Sequence, residues 1–136
     1  MIVCGFPGVG KTIMAKCSNW VDLESTPFER DFDRYAKVAK HMHDNGYTVM
    51  VSTHKELLNE FEQMEVPYTV IIPPTSDQSI YIKRYERRGN DEQFIQTVKD
   101  NWNNWMYDIL DYQSVLRTVV ILPKDGCIQA FAERWK

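Results

Sequence analysis

Short apolar strands separated by amphipathic helical segments predict an α/β domain of three layers, with a five-stranded parallel sheet flanked by helices. Three observations carry that expectation. The strand candidates are nearly continuous apolar runs such as Met1 to Cys4 and Tyr68 to Ile72, the pattern of strands covered on both faces. Each is followed by residues at helical spacing, so consecutive strands are joined by crossovers and pair in parallel. Finally, 136 residues with 43% apolar and 26% charged side chains suit one core and one domain, residues 1–136.

Met1 to Cys4 is the first strand, running into a glycine loop. Lys11 to about Cys17 is a brief helix, and Trp20-Val21-Asp22-Leu23 a second strand that ends in carboxylates. From about Phe28 to Asn45 a helix is expected: Phe32, Tyr35, Ala36, Ala39 and Met42 share one face, and Gly46 suits its stop. Tyr47 to Ser52 is the third strand. Thr53-His54-Lys55-Glu56 has capping-box spacing and opens a helix with Leu57, Leu58, Phe61 and Met64 inward. Tyr68 to Ile72 is the fourth strand, stopped by Pro73 and Pro74. A helix from about Ser76 to Arg88 ends at Gly89, and Asn90 caps a longer one carrying Phe94, Ile95, Val98, Trp102, Trp105, Met106 and Ile109 at core spacing. Thr118 to Leu122 is the fifth strand, and Cys127 to Trp135 a terminal helix.

The net charge of -3 offers no general attraction to nucleic acid, so any basic site is local. Three cysteines, Cys4, Cys17 and Cys127, are an odd number without a close pair. They read as buried, reduced thiols rather than a disulfide frame or zinc site. No apolar run is long enough to span a membrane. The N-terminus lacks the basic region of a leader peptide. A reducing cytoplasm is the expected compartment.

Gly5-Phe6-Pro7-Gly8-Val9-Gly10-Lys11-Thr12 matches the eight-residue P-loop pattern G-x-x-x-x-G-K-[ST] in full. Its glycines let backbone N–H groups turn around phosphate oxygens where a Cβ would obstruct them. The following helix adds its positive end. Lys11 reaches the β- and γ-phosphates, and the Thr12 hydroxyl joins a Mg²⁺ shell. The motif names a nucleotide phosphate donor, with ATP and Mg²⁺ expected, and leaves the reaction open. GTP-specific enzymes need an Asn-Lys-x-Asp segment, which is missing. Motor and helicase ATPases carry an acid at the end of the third strand, where this chain has Met50-Val51-Ser52-Thr53.

Together with Val21-Asp22-Leu23-Glu24-Ser25 and the basic helix after the fourth strand, the Gly-Phe-Pro-Gly-x-Gly-Lys loop resembles the nucleoside monophosphate kinase-like P-loop kinases. The likeness is strongest to the short nucleotide kinases encoded by bacteriophages, which would place the protein in a host cytoplasm. It implies a P-loop NTPase fold, an acceptor-binding region at about 24–46 and a short arginine-bearing lid at about 76–92. It also implies transfer of a phosphoryl group from ATP to a (deoxy)nucleoside monophosphate.

Asp22 and Glu24 match the Asp-x-Asp of shikimate-type kinases, whose first acid orients the Mg²⁺ shell and whose second approaches the acceptor; Glu24 departs from that pattern. Lys83, Arg84, Arg87 and Arg88 form a positive ridge on adjacent helix turns. The likeness makes Arg84 and Arg88 the lid pair that stabilises the moving phosphoryl group, with Arg87 beside them at the donor. Arg30, Arg34 and Lys37 lie one turn apart in the acceptor region, and Arg34 is the choice for an acceptor phosphate. Phe28 and Tyr35 could flank a base. His54 follows the third strand, at the sheet edge where α/β domains bind ligands. Two further readings stay open: a metabolite or polynucleotide hydroxyl as acceptor, with Asp22 or Glu24 as base, and a non-catalytic protein that binds or sequesters nucleotides. The number of subunits is open.

Overall fold

The computed structural model describes residues 1–17 and 19–129. Five parallel strands, β1 (Ile2–Gly5), β2 (Trp20–Asp22), β3 (Thr48–Val51), β4 (Tyr68–Ile72) and β5 (Arg117–Ile121), form one sheet in the order β2-β3-β1-β4-β5. Every residue of β1 is buried, so the central strand is covered on both faces, as its unbroken apolar run requires. Among the described residues no helix is long and apolar enough to cross a membrane.

Between the strands run α1 (Lys11–Met14), α2 (Phe32–Asp44), α3 (Lys55–Gln63), α4 (Gln78–Arg88) and α5 (Glu92–Asp111). The helices α2 and α3 pack on each other, as do α4 and α5. The core agrees with the spacing: Tyr35, Ala36 and Ala39 on α2, Leu57, Leu58 and Phe61 on α3, and Val98, Trp102 and Met106 on α5 are buried. The Trp102 indole donates to the Thr75 carbonyl at 2.9 Å, so this stripe is packing, as its period implies.

Several boundaries differ from the sequence expectation. The first helix is one turn long and stops at Met14. A 3-10 turn (Thr26–Phe28) precedes α2, and the Asp31 carboxylate caps the helix by accepting from the Arg34 amide at 3.1 Å. The capping box at Thr53 does not form: His54 is the N-cap of α3 and makes no side-chain cap bond. On α5 the cap is Asp91, which accepts from the Phe94 amide at 2.7 Å, because an aspartate at the cap satisfies a first-turn N–H that Asn90 sits one residue too early to reach. Of the cysteines only Cys4 is buried; Cys17 is exposed and Cys127 half-buried, and all three are free thiols. The terminal helix expected to Trp135 lies largely outside the described residues.

Candidate functional site

The glycine loop leaves β1 at the carboxyl edge of the sheet and is fixed from below by its own apolar residues. Phe6 and Val9 are fully buried. The Phe6 ring meets Trp102 edge-on at 5.2 Å and Tyr81 at 6.4 Å. The Phe6 amide donates to the Ile71 carbonyl at 3.0 Å and the Val9 amide to the Phe6 carbonyl at 3.2 Å. These two positions, expected to bind the donor, instead anchor the loop: their side chains are core and their amides are already used. Among the described residues the amides of Gly8 and Gly10 donate to no backbone acceptor, and those of Lys11 and Thr12 open a helix, where no intrahelical acceptor exists. Four N–H groups of the loop, at Gly8, Gly10, Lys11 and Thr12, are therefore free for an anion. Gly8, at φ +93°, has no room for a Cβ, which would lie 3.0 Å from the Tyr81 ring.

Around this loop lies a cavity of about 570 Å³, within the range of small-ligand sites. Pro7, Gly8, Gly10, Lys11 and Thr12 line one side. Asp22, Glu24, Ser25 and Thr26 line the end of β2, Ser52 the end of β3, and Arg84, Arg87 and Arg88 the α4 side. Residues as far apart in sequence as Pro7 and Arg88 thus converge because the parallel strands end at the same sheet edge.

The Lys11 ammonium folds back onto the Gly5 carbonyl at 2.7 Å. Burial pulls its pKa down, while the nearby Asp22 carboxylate opposes that shift. Burial pushes the Asp22 carboxyl up, again opposed by Lys11. Each group therefore holds the other's charge. The Thr12 hydroxyl and Asp22 carboxylate are two hard oxygen donors on one cavity. Such a pair fits Mg²⁺, which takes one or two protein ligands and fills the rest of its shell with water and phosphate.

The four cations of α4 have different fates. Arg84 is tied down: it donates to the Gly8 carbonyl at 2.9 Å, to Asp125 Oδ1 at 2.8 Å and to the Gly126 carbonyl at 3.0 Å, and lies 4.3 Å over the Tyr81 ring. The next residue, Tyr85, donates to the Pro7 carbonyl at 2.7 Å. The helix is stitched to the glycine loop, so Arg84 holds the loop in place of swinging above it. Arg88 is exposed and makes no hydrogen bond or ion pair among the described residues. Arg87 is exposed, and its one hydrogen bond among the described residues is to the Lys83 carbonyl, at 3.4 Å. Lys83 is exposed and does not line the cavity.

The segment after β5 also joins the site, which sequence reasoning missed. The Ile128 amide donates to the Val9 carbonyl at 2.8 Å, and the Asp125 amide to the buried Asp77 carboxylate at 2.8 Å. Cys127 lines the cavity. Its only signal in the sequence is Pro123-Lys124-Asp125-Gly126, a turn cluster directly after a strand.

A smaller hollow of about 130 Å³ adjoins the cavity, sharing Ser25, Thr26 and Tyr35 with it. Phe28, Glu29, Arg30, Phe32 and His54 complete it. Arg34 does not line either space: it bonds the Pro27 carbonyl at 3.2 Å, pairs with Asp31 at 3.9 Å and covers the Phe28 ring. Lys37 is occupied by Asp33 at 2.9 Å. Phe28 and Tyr35 stack on each other, 4.7 Å apart and nearly parallel, so they form one wall and do not sandwich a base. Tyr35 donates to the Leu23 carbonyl and accepts from the Ser52 amide at 3.2 Å, and burial pushes its phenol up to about 12. His54 Nδ1 lies 2.6 Å from Ser52 Oγ. Although the residue is exposed, desolvation on its packed side, where Phe32 lies 5.2 Å away, lowers its pKa from the ordinary value.

No family model matches the chain, and no curated protein is similar to it. A solved structure described as an uncharacterized protein from Eubacterium ventriosum ATCC 27560 shares the fold. Its TM-score is 0.54 at 12% identity, covering 98% of this chain and 94% of that one.

Proposed function

We propose that the chain is an ATP- and Mg²⁺-dependent phosphotransferase of P-loop NTPase architecture that acts in the cytoplasm, with a (deoxy)nucleoside monophosphate as acceptor. The observation that supports it most is the convergence in one cavity of Lys11, Thr12 and four free loop amides with Asp22, Arg87 and Arg88. Phosphoryl transfer asks little covalent chemistry of the protein. It asks for positioned positive charge and in-line geometry, since charge spreads over the three equatorial oxygens.

The loop amides hold the donor phosphates without spending a side chain. Lys11 leaves the Gly5 carbonyl for the β- and γ-oxygens. Thr12 and Asp22 would hold Mg²⁺, which would supply charge that neutralises the phosphates. Arg88, which makes no hydrogen bond or ion pair among the described residues, meets the charge that develops during transfer, and Arg87 supports it. Glu24, Ser25 and Thr26 face the acceptor side. A monophosphate oxygen attacks the γ-phosphorus as the bond to the β-bridging oxygen breaks, and no proton has to be removed.

A hydroxyl acceptor is a second reading, favoured by the Ser52–His54 pair: an imidazole held neutral could take a hydroxyl proton through Ser52. The deciding experiment measures ATP consumption with each nucleoside monophosphate and with sugar-acid hydroxyl acceptors, for wild type and Lys11→Ala. Acceptor-stimulated turnover that falls roughly 100-fold or more in a folded Lys11→Ala protein supports the proposal. Mg·ATP binding with no acceptor-stimulated turnover points to a nucleotide-binding protein, and turnover indifferent to Lys11→Ala refutes the donor site.

A further inference from the structure

We infer that Tyr35 is a positioning residue of the donor site: its hydroxyl, wedged between the ends of β2 and β3, fixes where the Asp22 carboxylate stands and so how well Mg·ATP is held. The inference rests on the donor-site reading above and adds a residue to it, whichever acceptor is used.

The first observation is a replaced rung in the sheet. β2 and β3 pair in parallel, with Trp20 opposite Thr48, Val21 opposite Val49 and Asp22 opposite Met50. In this register the Thr48 amide donates to the Asn19 carbonyl at 2.7 Å and the Leu23 amide to the Met50 carbonyl at 2.9 Å. Parallel ladders advance two residues at a time, so the next rung would run from the Ser52 amide to the Leu23 carbonyl. Those two groups do not bond each other. The Ser52 amide donates to the Tyr35 hydroxyl at 3.2 Å, and that hydroxyl donates to the Leu23 carbonyl. Two hydrogen bonds in series replace one, and both backbone groups at the break stay paired.

The second observation is what lies at the break. β2 ends at Asp22 and β3 at Val51. The residues just beyond, Glu24, Ser25 and Ser52, line the donor cavity together with Asp22 and Tyr35 itself. A direct rung would draw the two chain ends together at the rim of that cavity. Asp22 directly precedes the tethered Leu23 carbonyl, so its carboxylate, near Lys11, hangs from a strand end that Tyr35 holds.

The third is the stiffness of the wedge. Tyr35 lies in the first turn of α2, which Asp31 caps by accepting from the Arg34 amide at 3.1 Å. Its side chain is buried, and its ring lies nearly parallel to that of Phe28 at 4.7 Å. A ring locked by packing moves its hydroxyl only if the stack or the helix moves, so it sets a position for its partners and does not follow them.

The test uses Tyr35→Phe, which keeps the ring and its stack and removes only the hydroxyl. ATP is titrated calorimetrically, with and without Mg²⁺, into wild type, Tyr35→Phe, Asp22→Asn and the double variant, with thermal melts as the folding control. Affinity for ATP without Mg²⁺ draws on the loop amides and Lys11 and should be unchanged in Tyr35→Phe. The factor by which Mg²⁺ tightens ATP binding should fall about ten-fold, the scale of groups that orient a metal ligand. A merely structural role would weaken binding with and without Mg²⁺ alike. Because Tyr35 acts through Asp22, adding Tyr35→Phe to Asp22→Asn should change the Mg²⁺ factor no further. A second measurement needs no variant. Coupling is reciprocal, so Mg·ATP should slow hydrogen exchange at the Ser52 amide of the wild type more than ATP alone does.

The inference is overturned by a Mg²⁺ factor unchanged in Tyr35→Phe, by parallel losses with and without Mg²⁺, or by additive effects in the double variant. Ser52 exchange indifferent to Mg²⁺, or a wild type that binds no Mg·ATP, overturns it as well. A wild type that shows these Mg²⁺ effects without acceptor-stimulated turnover upholds it and refutes the phosphotransferase reading, so the two failures are separable.

Discussion

Replacing Arg84 tests whether α4 is a mobile lid or part of the loop's scaffold. Its side chain is 16% exposed and donates to two carbonyls and one carboxylate. Asp125 is 66% exposed, so water replaces that partner and the ion pair is worth at most about 1 kcal/mol. The bonds to Gly8 and Gly126 are different, since truncation leaves part-buried carbonyls facing a void, at about 1–3 kcal/mol for each unpaired group. The two carbonyls together put Arg84→Ala at about 2–6 kcal/mol, which lowers Tm by roughly 7–20 °C in a domain of this size. Nucleotide affinity should fall with it, because Gly8 and Gly126 are no longer held to one helix. Arg84→Lys should recover only part, since one ammonium cannot span the carbonyls that a planar fork joins. Arg88→Ala gives the opposite signature: stability within about 0.5 kcal/mol and a drop in kcat larger than the change in ATP affinity. Denaturation curves, ATP titration and kcat for the three variants check this. An Arg84→Ala protein that melts and binds like wild type would refute the scaffold argument.

Three further outcomes are expected. Gly8→Ala should destabilise by about 1–3 kcal/mol, because φ is +93° and the new Cβ meets Tyr81 at 3.0 Å and Tyr85 at 3.1 Å; a chemical melt matching wild type would show that the two rings yield freely. Asp22→Asn should raise the Mg²⁺ concentration needed for half-maximal turnover, read from a Mg²⁺ titration, and leave the fold intact because the residue is only half-buried. Tyr81 is buried, its phenol is pushed up to about 12 by burial, and its hydroxyl has no hydrogen-bond partner among the described residues, Arg84 lying over the ring face. Its folded pKa exceeds the ordinary 10.0; the stability it contributes is present below pH 10 and is lost as pH rises from 10 toward 12, where the unfolded chain gives up the proton first. Tyr81→Phe should therefore cost little at pH 7 and flatten the alkaline loss of stability, as melts between pH 8 and 11 will show.

Much of this was legible in the chain because it is local. Strand runs, helix period and the glycine loop depend on residues within a dozen positions of one another, so Gly5 to Thr12 marked a glycine loop and a candidate phosphate site before any fold was known. Parallel pairing followed from the alternation itself, since strands joined through helices have to run the same way. The site at Asp22 was legible too, as an acid at a strand end.

Tertiary structure alone decided the roles of individual cations and caps. Arg84 and Arg88 share a spacing and a charge, yet one ends against Gly8 and Asp125 and the other in open cavity, because adjacent turns of one helix face different neighbours. Arg30 lines the hollow and Arg34 does not, for the same reason: Asp31 caps α2 and draws Arg34 toward its own turn, while Glu29 and Arg30 sit in a left-handed bend beside the hollow. The closure of the cavity by the segment after β5 depends on Asp77, Arg84 and Val9, contacts made across more than 40 positions of sequence. Such contacts are set by where chain segments meet in space, which periodicity and composition do not encode.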